Sequence, residues 1–376
     1  MRLTFREQMR GFRSPDTPIV VWLGLASVLV NVLLAAWLGI NRGGDSFRYV
    51  DGAAQLVAGE PLRAPNVSQY LGYVGLVALA TIAGTGLTGV VAVQIAMAAC
   101  AAMALYDLGR QLAGRAAGVI AAVVFIVDLD IAQWHAFILT DSLYISLVVI
   151  TTWFVHRAIA HGAPAYVNAL LVGVVTASIR PNGWMFAPLA AVYWISRSAL
   201  SRWARVGIAC VVLAGLAGVI SIALYQRYNT VVAHPPKGWD NTRAFADVWL
   251  GLFGAAPAGE NRLALAATRV LKELGHTRPT FSARHNAAVV AVLAVTYPLA
   301  IVGFIQRRTD PLSRLLVAVI AGHLLIVALT FADRDGRYLL YVFPLIVMFA
   351  ACGATSLAAN ASSRRRSPSP RASSPN

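Results

Sequence analysis

Charge is what this chain has least of. Charged residues make up 12% of its 376 positions, against about 25% in an average soluble chain, and Lys237 and Lys272 are its two lysines. A water-bathed globule is therefore excluded. Cysteine is scarce too: Cys100, Cys210 and Cys352 each fall inside an apolar run. That placement offers neither a metal-ligand spacing nor a disulfide framework, so each is expected as a small buried hydrophobe. No internal repeat is visible, which removes the usual mark of duplicated transporter folds.

What the chain has in abundance is apolar sequence, 58% of all residues. Crossing about 30 Å of hydrocarbon takes roughly 17 to 25 residues in a helix, and runs of that kind recur along almost the whole length. Candidate spans are 18–40, 86–108, 114–131, 139–160, 164–180, 183–198, 205–226, 286–306, 314–332 and 337–358. The expected fold is all-α: a polytopic membrane protein of about ten helices, with juxtamembrane helices in its outer loops and both termini in the cytoplasm. Arg2, Arg6, Arg10 and Arg13 precede the first span, whose apolar stretch exceeds the signal-peptide range of about 7 to 15 residues. It reads as an uncleaved anchor in the plasma membrane.

One leftover stretch, 69–84, decides the topology. If it crossed, Arg110 and Arg115 would share a side with the acidic loop 41–68, against the positive-inside rule. Taken as lateral or re-entrant, it leaves cytoplasmic segments with 17 basic residues against Glu7, Asp16, Asp107 and Asp310, net +13. The outer segments then hold 14 basic and 12 acidic residues, net +2. The formal charge of +15 thus lies mostly in short loops and is not a stripe with interleaved aromatics, so it marks topology and not nucleic-acid binding. The division is a basic N-terminus (1–17), a transmembrane domain (18–358) with large outer loops 41–85 and 227–285, and a disordered Ser-, Pro- and Arg-rich cytoplasmic tail (359–376). Trp239, Phe245, Trp249 and Phe253 suit a segment lying on the membrane surface, or a plain interfacial anchor.

Candidate chemistry gathers at the outer ends of spans. Asp45 follows the first span by a few residues; it reads either as a helix N-cap or as a functional carboxylate, with Tyr49 and Asp51 nearby. Asp128, Asp130, His135 and Asp141 share one short outer junction, where ionisable groups must pair or serve a site. For Asp141 or Thr140 a cap at the start of the fourth span is the alternative, and His135 is expected as a partly solvated loop histidine. Arg180 in SIRPNGW, and Arg334 with Arg337 in DRDGRYLLYVFP, oppose the charge bias, and Tyr338 beside them is a further donor-site candidate. Such arginines suit a phosphate, an ion pair with Asp333 or Asp335, or snorkelling to headgroups.

The order of these segments resembles the GT-C glycosyltransferases, in particular protein O-mannosyltransferases and the lipid A aminoarabinose transferase. The resemblance covers roughly 18–345 and rests on GDSFRYVDGAAQLVAGEP, ALYDLGRQLAGRAAG, LTDSLY, SIRPNGW and DGRYLLYVFP in sequence. It implies transfer of a sugar from a polyprenyl phosphate to an acceptor on the outer face. It also implies Asp45 as catalytic base, Asp141 (or Asp128 or Asp130) as a second acid, and Arg180, Arg334 and Arg337 as donor-phosphate ligands. Protein O-mannosyltransferases carry an Asp-Glu pair where this chain has Asp45-Ser46, which weakens the case for a protein acceptor. No metal is favoured, although Asp45 and Asp141 could share a divalent ion if they converge. Partners are the lipid-linked donor and membrane lipids, without nucleic acid. Scarce lysine beside abundant Ala, Arg, Gly and Val points to a GC-rich bacterial source and a cell-envelope product. The rivals are a transporter or lipid flippase, which predicts charge near span centres, and a noncatalytic envelope partner.

Overall fold

The computed structural model describes residues 16–64, 67–161, 163–197, 201–203, 205–207, 209–210, 262–275, 277, 281–330 and 337–366. Arg334, the span expected beyond 210, most of loop 227–285 with its four aromatics, the N-terminal arginines and the end of the tail lie outside the described residues.

Among the described residues the chain is helical, and six helices are long and apolar enough to cross a membrane. These are α1 (Thr17–Leu38), α4 (Gly86–Ala113), α7 (Thr140–His161), α11 (Ala283–Arg307), α12 (Pro311–Thr330) and α13 (Phe343–Arg366). A seventh crossing arises if α5 (Arg115–Val127) and the segment after it, which contains α6 (Leu129–Ala132), form one span broken by a 53° bend. Asp128 makes that break, because its carboxylate accepts from the N–H groups of Asp130 and Ile131 and starts a new turn. The expected span 114–131 is thus interrupted. Shorter helices fill the rest: α2 (Ser46–Val57), α3 (Leu71–Ile82), α8 (Ala163–Ile179), α9 (Phe186–Arg197) and the amphipathic α10 (Arg262–Gly275). The sequence expectation of ten crossings is met for six or seven of them. With the 3-10 turn Val67–Tyr70 before it, α3 forms a shorter apolar helical segment, Val67–Ile82, within the stretch expected to be lateral.

Lipid sits where core would sit in a soluble protein. α1 turns Trp22, Leu25, Leu29, Leu33 and Trp37 outward, while α4, α7 and α13 carry much of the buried core. With lipid as apolar as the interior, helices associate through close fit and small residues. α11 and α13 meet at Gly303 and Gly353, where a Cβ would lie 2.0 Å from the Phe349 carbonyl oxygen and 2.1 Å from that of Leu299. The cysteines depart from expectation: Cys352 is buried, but Cys100 and Cys210 are exposed, facing outward from runs that are apolar for the lipid's sake.

Candidate functional site

The site is built where α7 begins. Thr140 and Asp141 open α7 and are both buried, so the carboxylate needs partners. It has three. The Tyr341 hydroxyl donates to Asp141 Oδ1 at 2.5 Å, Arg337 Nε lies 3.5 Å from the same oxygen, and Arg180 Nη1 lies 3.5 Å from Oδ2. Arg180 comes from the joint between α8 and α9, where a 3-10 turn Pro181–Met185 follows it. Arg337 opens a second 3-10 turn, Arg337–Tyr341, just before α13. Asp141 and Tyr341 are 200 positions apart in the chain, so the site is a product of the fold.

Aromatic rings wall the two guanidiniums. Arg180 lies over the rings of Tyr341 and Tyr338, at 4.8 and 5.3 Å from their centroids, and Arg337 lies over Tyr338 and Trp134 at 5.3 and 5.9 Å. Arg180 Nη1 also donates to Thr140 Oγ1 at 2.9 Å. Burial opposes both charges, yet the tyrosines and the Asp141 carboxylate around them hold both pKa values above the ordinary arginine value. Among the described residues the Asp141 carboxylate thus stands between two guanidiniums. The Nε of Arg180 is buried without a hydrogen-bond partner among the described residues, a donor that an anionic oxygen would satisfy.

The loop after α1 is tied to this site. Asn41 pairs with the strand-like Ala136–Ile138 through N–H to the Ala136 carbonyl at 2.9 Å and from Ile138 N–H at 3.0 Å. In α2, Tyr49 is buried, hydrogen-bonds Thr140 and feels Arg180 and Asp141. Asp45 precedes it by one helical turn, on roughly the same face, but is half exposed and 3.3 Å from Arg48. It occupies the N-cap position without accepting a capping bond, so the cap reading finds no support in its geometry. The structure therefore brings Asp141, Arg180, Arg337, Tyr338 and Tyr49 together and places Asp45 a turn outside them. Asp51 is exposed on α2, Asp130 pairs with His285 at 3.0 Å, and Asp128 serves as the cap described above.

His135 corrects the sequence reading. It is buried, not partly solvated, with Nδ1 2.6 Å from the Ser142 hydroxyl. Behind it, Gln94 of α4 donates to the carbonyls of His135 at 2.9 Å and Phe137 at 3.0 Å, and accepts from the Tyr73 hydroxyl at 2.9 Å. This network fixes the loop that precedes Asp141. Tyr341, Thr140, Tyr73 and Gln94 went unread as site residues; the aromatic-rich RYLLY run was a signal, while a glutamine in the middle of a span was a polar residue needing partners.

The comparisons agree with this architecture. Residues 73–225 match the family described as dolichyl-phosphate-mannose-protein mannosyltransferase. No curated protein matches the chain. Among solved structures, the oligosaccharyltransferase AglB from Archaeoglobus fulgidus, in complex with an inhibitory peptide and a dolichol-phosphate, shares the fold at TM-score 0.56 and 15% identity. The alignment covers 94% of this chain but 52% of AglB, so the chain spans about half the length of that protein. The family match takes in less than half of the chain, and the likeness to AglB is one of fold.

Proposed function

We propose that the chain transfers a sugar from a polyprenyl-phosphate donor to an acceptor hydroxyl of an envelope glycan, lipid or protein at the outer face of the membrane. The observation that carries this reading is the pair of guanidiniums that Asp141 gathers at one place, Arg180 and Arg337, beside the buried Arg180 Nε that has no hydrogen-bond partner among the described residues, a donor set that suits a phosphate anion. In the reaction the acceptor oxygen attacks the sugar's anomeric carbon, and the bond from that carbon to the phosphate oxygen breaks. The leaving polyprenyl phosphate takes the electron pair, held by guanidiniums whose orientation Asp141 has already set. A single displacement inverts the anomeric carbon.

A hydroxyl needs a base as it attacks. Asp141 is spent on three donors, which makes it the holder of the arginines. Asp45, open to solvent one turn above Tyr49, is the carboxylate placed to meet an acceptor arriving from water. A transporter would need charge near span centres, whereas this cluster occupies helix ends.

The test is to incubate purified protein with a panel of labelled polyprenyl-phosphate sugars, with and without chelator, and to follow sugar-dependent release of the lipid phosphate. Release by the wild type, and its fall by about 10²- to 10³-fold in Arg180→Gln, is the expected result. Absence of release with every donor, or full activity in Arg180→Gln, overturns the proposal.

A further inference from the structure

α12 packs its inner face at helical spacing: Leu312, Leu316, Val319, His323 and Val327 are buried, one every three or four residues. A histidine stands where that stripe calls for another aliphatic side chain. An ionisable group inside a span is costly unless it is partnered, and His323 is fully buried. Its partner lies in the candidate site. His323 Nε2 is 2.9 Å from the main-chain carbonyl oxygen of Tyr338, and because that oxygen can only accept, Nε2 carries the hydrogen. Nδ1 is buried with no hydrogen-bond partner among the described residues. The polar contribution of the imidazole is thus one N–H, aimed at one carbonyl.

That carbonyl belongs to the 3-10 turn Arg337–Tyr341, which supplies Arg337, Tyr338 and Tyr341 to the surroundings of Asp141. The rear of the turn is tied to the start of α13, through the Val342 N–H to the Leu339 carbonyl at 3.0 Å. His323 ties its front to α12. The imidazole also meets the Tyr341 ring edge-on, with centroids 5.4 Å apart, and Tyr144 of α7 meets the same ring at 4.9 Å. Tyr341 is held between them. Its hydroxyl donates to Asp141 and its face carries the Arg180 guanidinium, so a shift of the turn would disturb both cations at once.

We propose that His323 is a positioning residue of the site: from α12 it holds the Arg337–Tyr341 turn where Arg337 and Arg180 face the same Asp141 carboxylate, and so sets the placement of the donor phosphate's ligands. The consequence for catalysis rests on the transfer reading given above, whereas the anchoring does not.

Two variants of the full chain separate the N–H from side-chain bulk. His323→Leu keeps an apolar group of similar size without the donor, and His323→Gln keeps an amide N–H that reaches about as far as Nε2. Backbone hydrogen exchange in detergent, read by mass spectrometry, should speed up over Arg337–Tyr341 by about tenfold in His323→Leu, the step that loss of one buried hydrogen bond supplies. Exchange in α4 and α5 should not change, and His323→Gln should return the turn toward the wild type. With the labelled donor, kcat for lipid-phosphate release per folded enzyme should fall about tenfold in His323→Leu with KM within about twofold, because displaced guanidiniums lose their hold on charge that grows in the transition state. His323→Gln should restore most of that rate. Unchanged exchange over the turn in His323→Leu, or equal defects in the two variants, overturns the proposal. Faster exchange with undiminished kcat overturns it as well, by leaving His323 a scaffold residue. If the wild type releases lipid phosphate from no donor, the transfer reading and the catalytic consequence fall together, while the exchange comparison still decides the anchoring.

Discussion

At the scale of single residues, holding and chemistry fall to different carboxylates. Removing the Asp141 charge leaves two guanidiniums facing each other in a buried place, and breaking a buried ion pair from one side costs about 3–5 kcal/mol. Asp141→Asn is therefore expected to lower the unfolding temperature in detergent and to abolish donor turnover together. Tyr341→Phe deletes one hydrogen bond to the same carboxylate, worth about 1.5–3 kcal/mol, and should lower the unfolding temperature while Arg180 and Arg337 keep their partner. Asp45 behaves oppositely if it is the base. Because it is half exposed and, among the described residues, paired only across a helical turn with Arg48, Asp45→Asn should leave the unfolding temperature unchanged while transfer falls by about 10²- to 10⁴-fold. Equal loss of stability in both aspartate variants would mean that Asp45, too, is a scaffold residue.

At the scale of elements, packing replaces the hydrophobic effect as the source of specificity. The crossing of α11 and α13 is one example: backbone oxygens stand where a Cβ at Gly303 or Gly353 would go, and no side-chain rotation can relieve that. Gly303→Leu should cost about 3 kcal/mol or more, seen as a lower unfolding temperature, whereas Gly173→Leu, with open space around its α carbon, should cost little. The same physics explains which elements the sequence disclosed. Spans were legible because their length and apolarity answer to the bilayer. Which face of a span points inward was not, since lipid and core ask for the same residues; hence Cys100 was placed inside and lies outside. The bend after α5 was hidden in a capping aspartate, and buried His135 in a loop whose solvation only the Gln94 network reveals. Of the site, Asp141, Arg180 and Arg337 announced themselves as charges at helix ends. Tyr341 did not, because an apolar run gives no sign that one hydroxyl in it meets a carboxylate 200 positions away.

At the scale of the whole molecule, the two ends of the bundle carry different charge networks. Asp16, Asp107, Arg110, Arg115 and Arg157 gather at one end, and Asp141, Arg180 and Arg337 at the other. By the positive-inside rule the excess of basic short loops predicts that the first end is cytoplasmic, and the proposed reaction then needs the second, together with the loop holding Asp45, to face outward. Sugar transfer outside requires that orientation, because a donor phosphate gripped at Arg180 meets only the acceptors present on its own side. With Cys100, Cys210 and Cys352 replaced by alanine, a single cysteine at Asp45 should react with an impermeant maleimide on intact cells. One at Gln111 should react only after the membrane is opened. The reverse pattern would turn the arginine cluster toward the cytoplasm, and the proposed outward reaction would have no site at which to occur.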